Sequence, residues 1–164
     1  MMKKLLALLA AVLLAGMALA SCGGGETEPA QESLAPLERG SVTCVTASDA
    51  VYSSYLYVID DEKALDELVA LYNGVTYAPL AEGEQAPDLL TGTLYMLDFY
   101  GAVTDGNYGD PIARLYLSPQ GYVMPDDGEN IFENVRRLTS AFDEERLKAL
   151  LTEYDSQKTP TFAG

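Results

Sequence analysis

Thr93-Leu94-Tyr95-Met96-Leu97-Asp98-Phe99-Tyr100 is the stretch on which the fold turns. Tyr95, Leu97 and Phe99 recur at every second position and make one apolar face, while Leu94, Met96, Asp98 and Tyr100 share the other. A carboxylate opposite a consistently apolar face suits an antiparallel sheet that is covered on one side and wet on the other.

Downstream, the polar turn Thr104-Asp105-Gly106-Asn107 precedes a partner strand over 112–117, and Ser118-Pro119-Gln120-Gly121 carries a turn signal feeding Tyr122-Val123-Met124. This makes a meander of three strands. Pro125-Asp126-Asp127-Gly128 is a further turn. The stretch 130–138 carries a helical spacing in Ile131, Val135 and Leu138 that a short edge strand also accommodates, and we read it as a strand. Asp143 then caps a closing helix, with Phe142 and Leu147 in the staple positions and Leu147, Leu150, Leu151 and Tyr154 on one stripe.

Upstream, Val42-Thr43-Cys44-Val45-Thr46 and Tyr55-Leu56-Tyr57-Val58-Ile59 flank a polar turn at Ser48-Asp49 and predict a hairpin. Asp60 or Asp61 caps the next segment, where Leu65, Leu68, Val69 and Tyr72 recur at helical spacing until Gly74 stops it. A Pro- and Glu-containing loop spans about Ala78 to Thr91. No strand-helix-strand repetition calls for a parallel sheet. The expectation is one α+β domain over 42–155: a single antiparallel sheet, hairpin plus meander, with two helices on one face.

The first residues carry a different message. Lys3 and Lys4 precede an uncharged apolar run from Leu5 to Ala20, the pattern of an export signal over 1–21, and the run is too short to remain as a membrane span. Leu19-Ala20-Ser21-Cys22 resembles the lipobox of bacterial lipoproteins. That resemblance implies that the Cys22 thiol receives a diacylglycerol, that cleavage falls just before it, and that the protein is held on the extracytoplasmic face of the cell membrane. Two acyl chains on one residue make a durable anchor where one would not. Ordinary secretory cleavage after Ala18-Leu19-Ala20 is the competing reading. Residues 22–41, rich in Gly, Glu, Pro and Ser, then read as a flexible acidic tether, and 156–164 as a frayed tail.

Removing 1–21 takes away Lys3 and Lys4 and no acid, so the net charge moves from −15 to −17. Nucleic acid needs a basic footprint, and Arg136-Arg137 is the one adjacent basic pair left, so nucleic acid is excluded as a partner. With Cys22 acylated, Cys44 has no partner cysteine, and it reads as a small buried residue on a strand rather than as a reactive thiol. The chain has no His, which removes the commonest general base and most zinc sites, and it has no glycine-rich phosphate loop.

Three features invite a functional reading. Asp98 lies in an apolar strand, where burial would perturb it, although on an open face it simply meets water. The groups Asp105, Asn107, Asp110 and Asp126, Asp127, Glu129 offer oxygen ligands but lack the calcium-loop spacing, and we read them as solvated turns with no metal. Eleven tyrosines stand against no tryptophan. Tyr95, Tyr100, Tyr116 and Tyr122 all fall on the meander, as core filling or as an aromatic platform for an envelope protein or glycan. The order of elements over 42–154, with Ile59-Asp60-Asp61-Glu62-Lys63 leading into the first helix, is similar to a domain family of unknown function in lipoproteins of Gram-positive bacteria. The resemblance implies no catalytic residue and no cofactor. The sequence therefore predicts a non-enzymatic binding or sensing module, with a carboxylate-based hydrolase as the alternative.

Overall fold

A computed structural model describes residues 30–51, 56–86, 88–104, 107–125 and 134–157. In chain order the elements are β1 (Glu32–Ser33), β2 (Cys44–Asp49), β3 (Tyr57–Ile59), α1 (Glu62–Gly74), β4 (Thr76–Ala78), β5 (Tyr95–Tyr100), β6 (Ala113–Ser118), β7 (Tyr122–Pro125), β8 (Arg136–Leu138) and α2 (Glu144–Tyr154), with short 3-10 turns at Arg39–Ser41 and Leu89–Thr91. The strands form one eight-stranded sheet in the order β1-β4-β8-β7-β6-β5-β2-β3. Every pairing is antiparallel. The class is α+β, as expected, and the segment 136–138 is a strand.

Both helices lie on the face marked by the alternation in β5. Leu65, Leu68, Val69 and Tyr72 of α1 and Leu147, Leu150 and Leu151 of α2 share one core with Val45, Leu97, Phe99, Leu115, Leu117 and Val123. Phe99 has no exposed surface and meets the Tyr72 ring edge-on at 5.1 Å between centroids. Asp61 caps α1, its carboxylate accepting from the N–H groups of Lys63 and Ala64, and Asp143 caps α2 by accepting from Arg146. Arg146 reaches back to Glu67 and ties the two helices together. The turn between β6 and β7 closes on Gly121, whose φ of 88° is easy only for glycine.

Three parts of the sequence reading need correction. Residues 31–41, expected from composition to belong to a 22–41 tether, are part of the fold. β1 pairs with β4, and Gln31 donates to the hydroxyls of Thr76 and Thr139 at 2.7 and 2.9 Å. Leu34 and Leu37 pack on the core, Leu37 and Asn73 exchange two bonds of 2.8 Å, and Arg39 pairs with Glu62 and Asp66 of α1. Two leucines among Gly, Pro and Glu carry no periodicity, so only the tertiary contacts reveal this strap. Second, β4 arises where a loop was expected to begin, because three residues give too short a pattern to read. Third, the chain after α2 does not fray at once. Ser156 donates its N–H and its hydroxyl to the Val58 carbonyl at 2.8 and 2.9 Å, and Asp155 accepts from the Val58 N–H, which blunts the outer edge of β3. Residues 158–164, the expected export signal over 1–21 and Cys22 lie outside the described residues.

Candidate functional site

The sheet face away from the helices was expected to be open, and it is covered. The segment from β4 to β5 runs across it, and Leu89 packs with Leu94, Tyr116, Met124 and Val135. Cys44, Val58 and Tyr100 are buried at the other end of the same face under Tyr108. Cys44 is therefore the small buried residue its strand position suggested, and burial pushes its thiol up, followed by the charge of Asp60.

This covering dismantles the tyrosine platform. Tyr95 points to the helix side, whereas Tyr100, Tyr116 and Tyr122 point to the loop side, so the four cannot make one surface. Tyr100 and Tyr116 are buried, and Tyr122 is half-buried. The strand pattern gave their positions but could not show a loop lying over them.

Asp98 likewise does not point to water. It is 5 % exposed, and Arg114 stands directly opposite on β6. The guanidinium donates through Nε to Oδ1 and through Nη2 to Oδ2, the latter at 3.2 Å, and the Tyr100 hydroxyl lies 3.4 Å from Oδ2. A carboxylate clamped by a guanidinium fork is an internal ion pair. The turn residues Asp105, Asp126, Asp127 and Glu129 lie outside the described residues. Among those described, no three acidic or sulfur side chains are grouped as a metal would need.

The covering segment is pinned by Glu84, which the sequence did not single out. Its carboxylate accepts from Arg137, from the Ala81 N–H at 3.0 Å and from the Tyr122 hydroxyl at 3.3 Å. The Arg137 bond, then the Ala81 bond, hold its carboxyl below the ordinary value of 4.5. Because the folded value is the lower one, the stabilisation is complete above the ordinary value and is lost as pH falls through the depressed one. Proteolytic nicking between β4 and β5 is therefore expected to accelerate below about pH 4.5. Glu84→Gln should be nicked faster at neutral pH with a smaller acid increase. An equal acid increase in both proteins would remove Glu84 from this role.

One concave feature of the helix side lies beneath α2, at the end of the sheet where β2, β3 and β5 begin or finish. A cavity of about 310 Å³ is lined by Ala47, Ser48, Asp49, Tyr57, Thr93, Tyr95, Lys148, Leu151 and Thr152. Its size falls at the lower end of ligand pockets. Tyr95 donates to Glu144 at 2.9 Å, and Lys148 bridges Glu144 and Glu145 at 3.0 and 3.2 Å. Burial, then the Glu144 bond, then the charges of Glu144, Asp49 and Glu145 push the Tyr95 hydroxyl far up, so it stays protonated. For Glu144 burial pushes upward, but Lys148 and Tyr95 outweigh it and the carboxyl lies below its ordinary range. The sequence places Asp49 in a turn, and it serves one by accepting from the Val51 N–H at 2.9 Å. Its register opposite Tyr95 brings it to the cavity as well.

Comparison with protein-family models, with curated proteins and with solved structures finds no match. Among the described residues no helix is long and apolar enough to cross a membrane.

Proposed function

We propose that this chain is a lipid-anchored binding module of the bacterial cell envelope, attached through Cys22 and displayed on the extracytoplasmic face. The observation that carries the reading is the succession Lys3-Lys4, the apolar run Leu5 to Ala20, and Leu19-Ala20-Ser21-Cys22. The domain is compatible with it. Residues 22–30 would link the anchor to β1 with a reach of at most roughly 30 Å, so the β1 edge would lie near the bilayer. The β3 edge and the cavity beneath α2, at the opposite end of the strand order, would then face outward. The binding half of the reading is supported by that cavity. The hydrolase alternative drew on Asp98, whose oxygens are engaged by Arg114.

Membrane fractionation with an alkyne-bearing fatty acid tests the anchor. The parent protein is expected in the membrane fraction with the label, and Cys22→Ala without it. Release of unlabelled parent protein beginning at Ser21 would establish ordinary secretory cleavage instead.

A further inference from the structure

The cavity beneath α2 is lined mostly by hydroxyl-bearing side chains, and we propose that it binds one neutral sugar unit, its ring against Tyr57, Tyr95 and Leu151 and its hydroxyls toward Ser48, Thr93 and Thr152. This names the ligand class for the binding half of the proposed function, rests on that half, and does not depend on the lipid anchor.

Charge comes first. The lining carries one acid, Asp49, and one cation, Lys148. Both are already engaged: Asp49 accepts from the Val51 N–H at 2.9 Å, and the Lys148 ammonium bridges Glu144 and Glu145 at 3.0 and 3.2 Å. An ionic ligand of either sign would give up its hydration without meeting an opposite charge set aside for it. A neutral ligand incurs no such loss.

The remaining lining decides what kind of neutral ligand fits. Five of the nine lining residues, Ser48, Tyr57, Thr93, Tyr95 and Thr152, carry a hydroxyl. A hydroxyl turns to donate or to accept, so a set of them matches a ligand that is itself polyhydroxylated. Among the described residues the side chains of Ser48, Thr93 and Thr152 make no hydrogen bond, and they converge on the cavity from β2, the approach to β5 and α2. Tyr95 gives its proton to a bond with Glu144 at 2.9 Å, which leaves its oxygen able to accept. A wholly apolar ligand would cover these groups and leave them unsatisfied. Ala47, Leu151 and the two tyrosine rings supply the flat apolar area that the C–H side of a sugar ring needs. At the roughly 30 Å³ that one water takes in the liquid, a cavity of about 310 Å³ holds about ten non-hydrogen atoms, the scale of a single sugar ring.

The test is a titration of the full chain in mild detergent, followed by amide NMR, with the methyl glycosides of glucose, galactose and mannose. At least one is expected to bind saturably with a dissociation constant on the order of 1 mM, moving the amide signals of residues that line the cavity. Glucuronate and protonated glucosamine keep the sugar ring and add a charge, whereas methoxycyclohexane keeps a ring and loses the hydroxyls. Each of these should bind at least about tenfold more weakly. Thr93→Val and Thr152→Val preserve the shape of the wall and should each weaken the sugar about three- to tenfold. Thr152→Phe, which fills the cavity from an exposed position on α2, should abolish binding with an unaltered melting curve. No saturable binding of any glycoside, equal or tighter binding of a charged ring or of methoxycyclohexane, or sugar binding untouched by all three substitutions would each overturn the proposal. Binding of a charged or apolar probe in place of the sugar would leave the binding half of the proposed function standing, whereas silence from every probe would count against that half as well. Cys22→Ala should titrate like the parent, so the anchoring experiment stands on its own.

Discussion

Phe99→Ala is expected to remove about 3–5 kcal/mol of stability, a large part of the roughly 5–15 kcal/mol that holds a typical domain together. Phe99 sits on β5, the strand bordered by β2 and β6, with no exposed surface, its ring edge-on to Tyr72 of α1. Truncation leaves a void between the sheet and Tyr72 of α1. Urea unfolding should show a midpoint far below that of the parent with a similar slope. Phe99→Leu, which keeps most of the volume, should lose clearly less. A loss below about 1 kcal/mol for the alanine variant would mean that this part of the core repacks freely.

Arg114→Met is the second large effect, and it acts through the partner it abandons. Asp98 would remain between Thr46 and position 114 on a covered face, with 7 % of its side chain exposed and without its guanidinium. Removing one member of a buried pair costs about 3–5 kcal/mol. Since 30 % of the Arg114 side chain is exposed, water relieves part of the penalty and the lower end of that range applies. Combining Arg114→Met with Asp98→Asn should recover more than half of the loss, because the uncompensated charge is then gone. Additive losses in the double variant would show that the two side chains stabilise the sheet independently.

These variants also mark where sequence reasoning stops. The alternation of Tyr95, Leu97 and Phe99 identified a strand and its core face, and the spacing of Leu65, Leu68, Val69 and Tyr72 identified α1 with its apolar stripe. Asp98 was visible as an acid in an apolar strand, but its partner was not. Arg114 lies sixteen residues away, and the register that sets the two side by side comes from the pairing of β5 with β6. The cavity beneath α2 was still less legible, since Asp49, Tyr57, Tyr95 and Lys148 come from four elements whose meeting point no local pattern encodes.

The sequence by itself determined the local elements, the caps Asp61 and Asp143 and the apolar face of β5, because each depends on spacing or chemistry within a few residues, and the export pattern proposed to end at Cys22 is read on the same local ground. Tertiary structure alone decided that 31–41 belongs to the fold, that Tyr116 is buried under the β4–β5 segment and Tyr100 under Tyr108, and that Asp98 meets Arg114. Those outcomes depend on contacts between distant segments. Whether a strand face stays wet is settled by what crosses over it, and the residues of the strand do not carry that information.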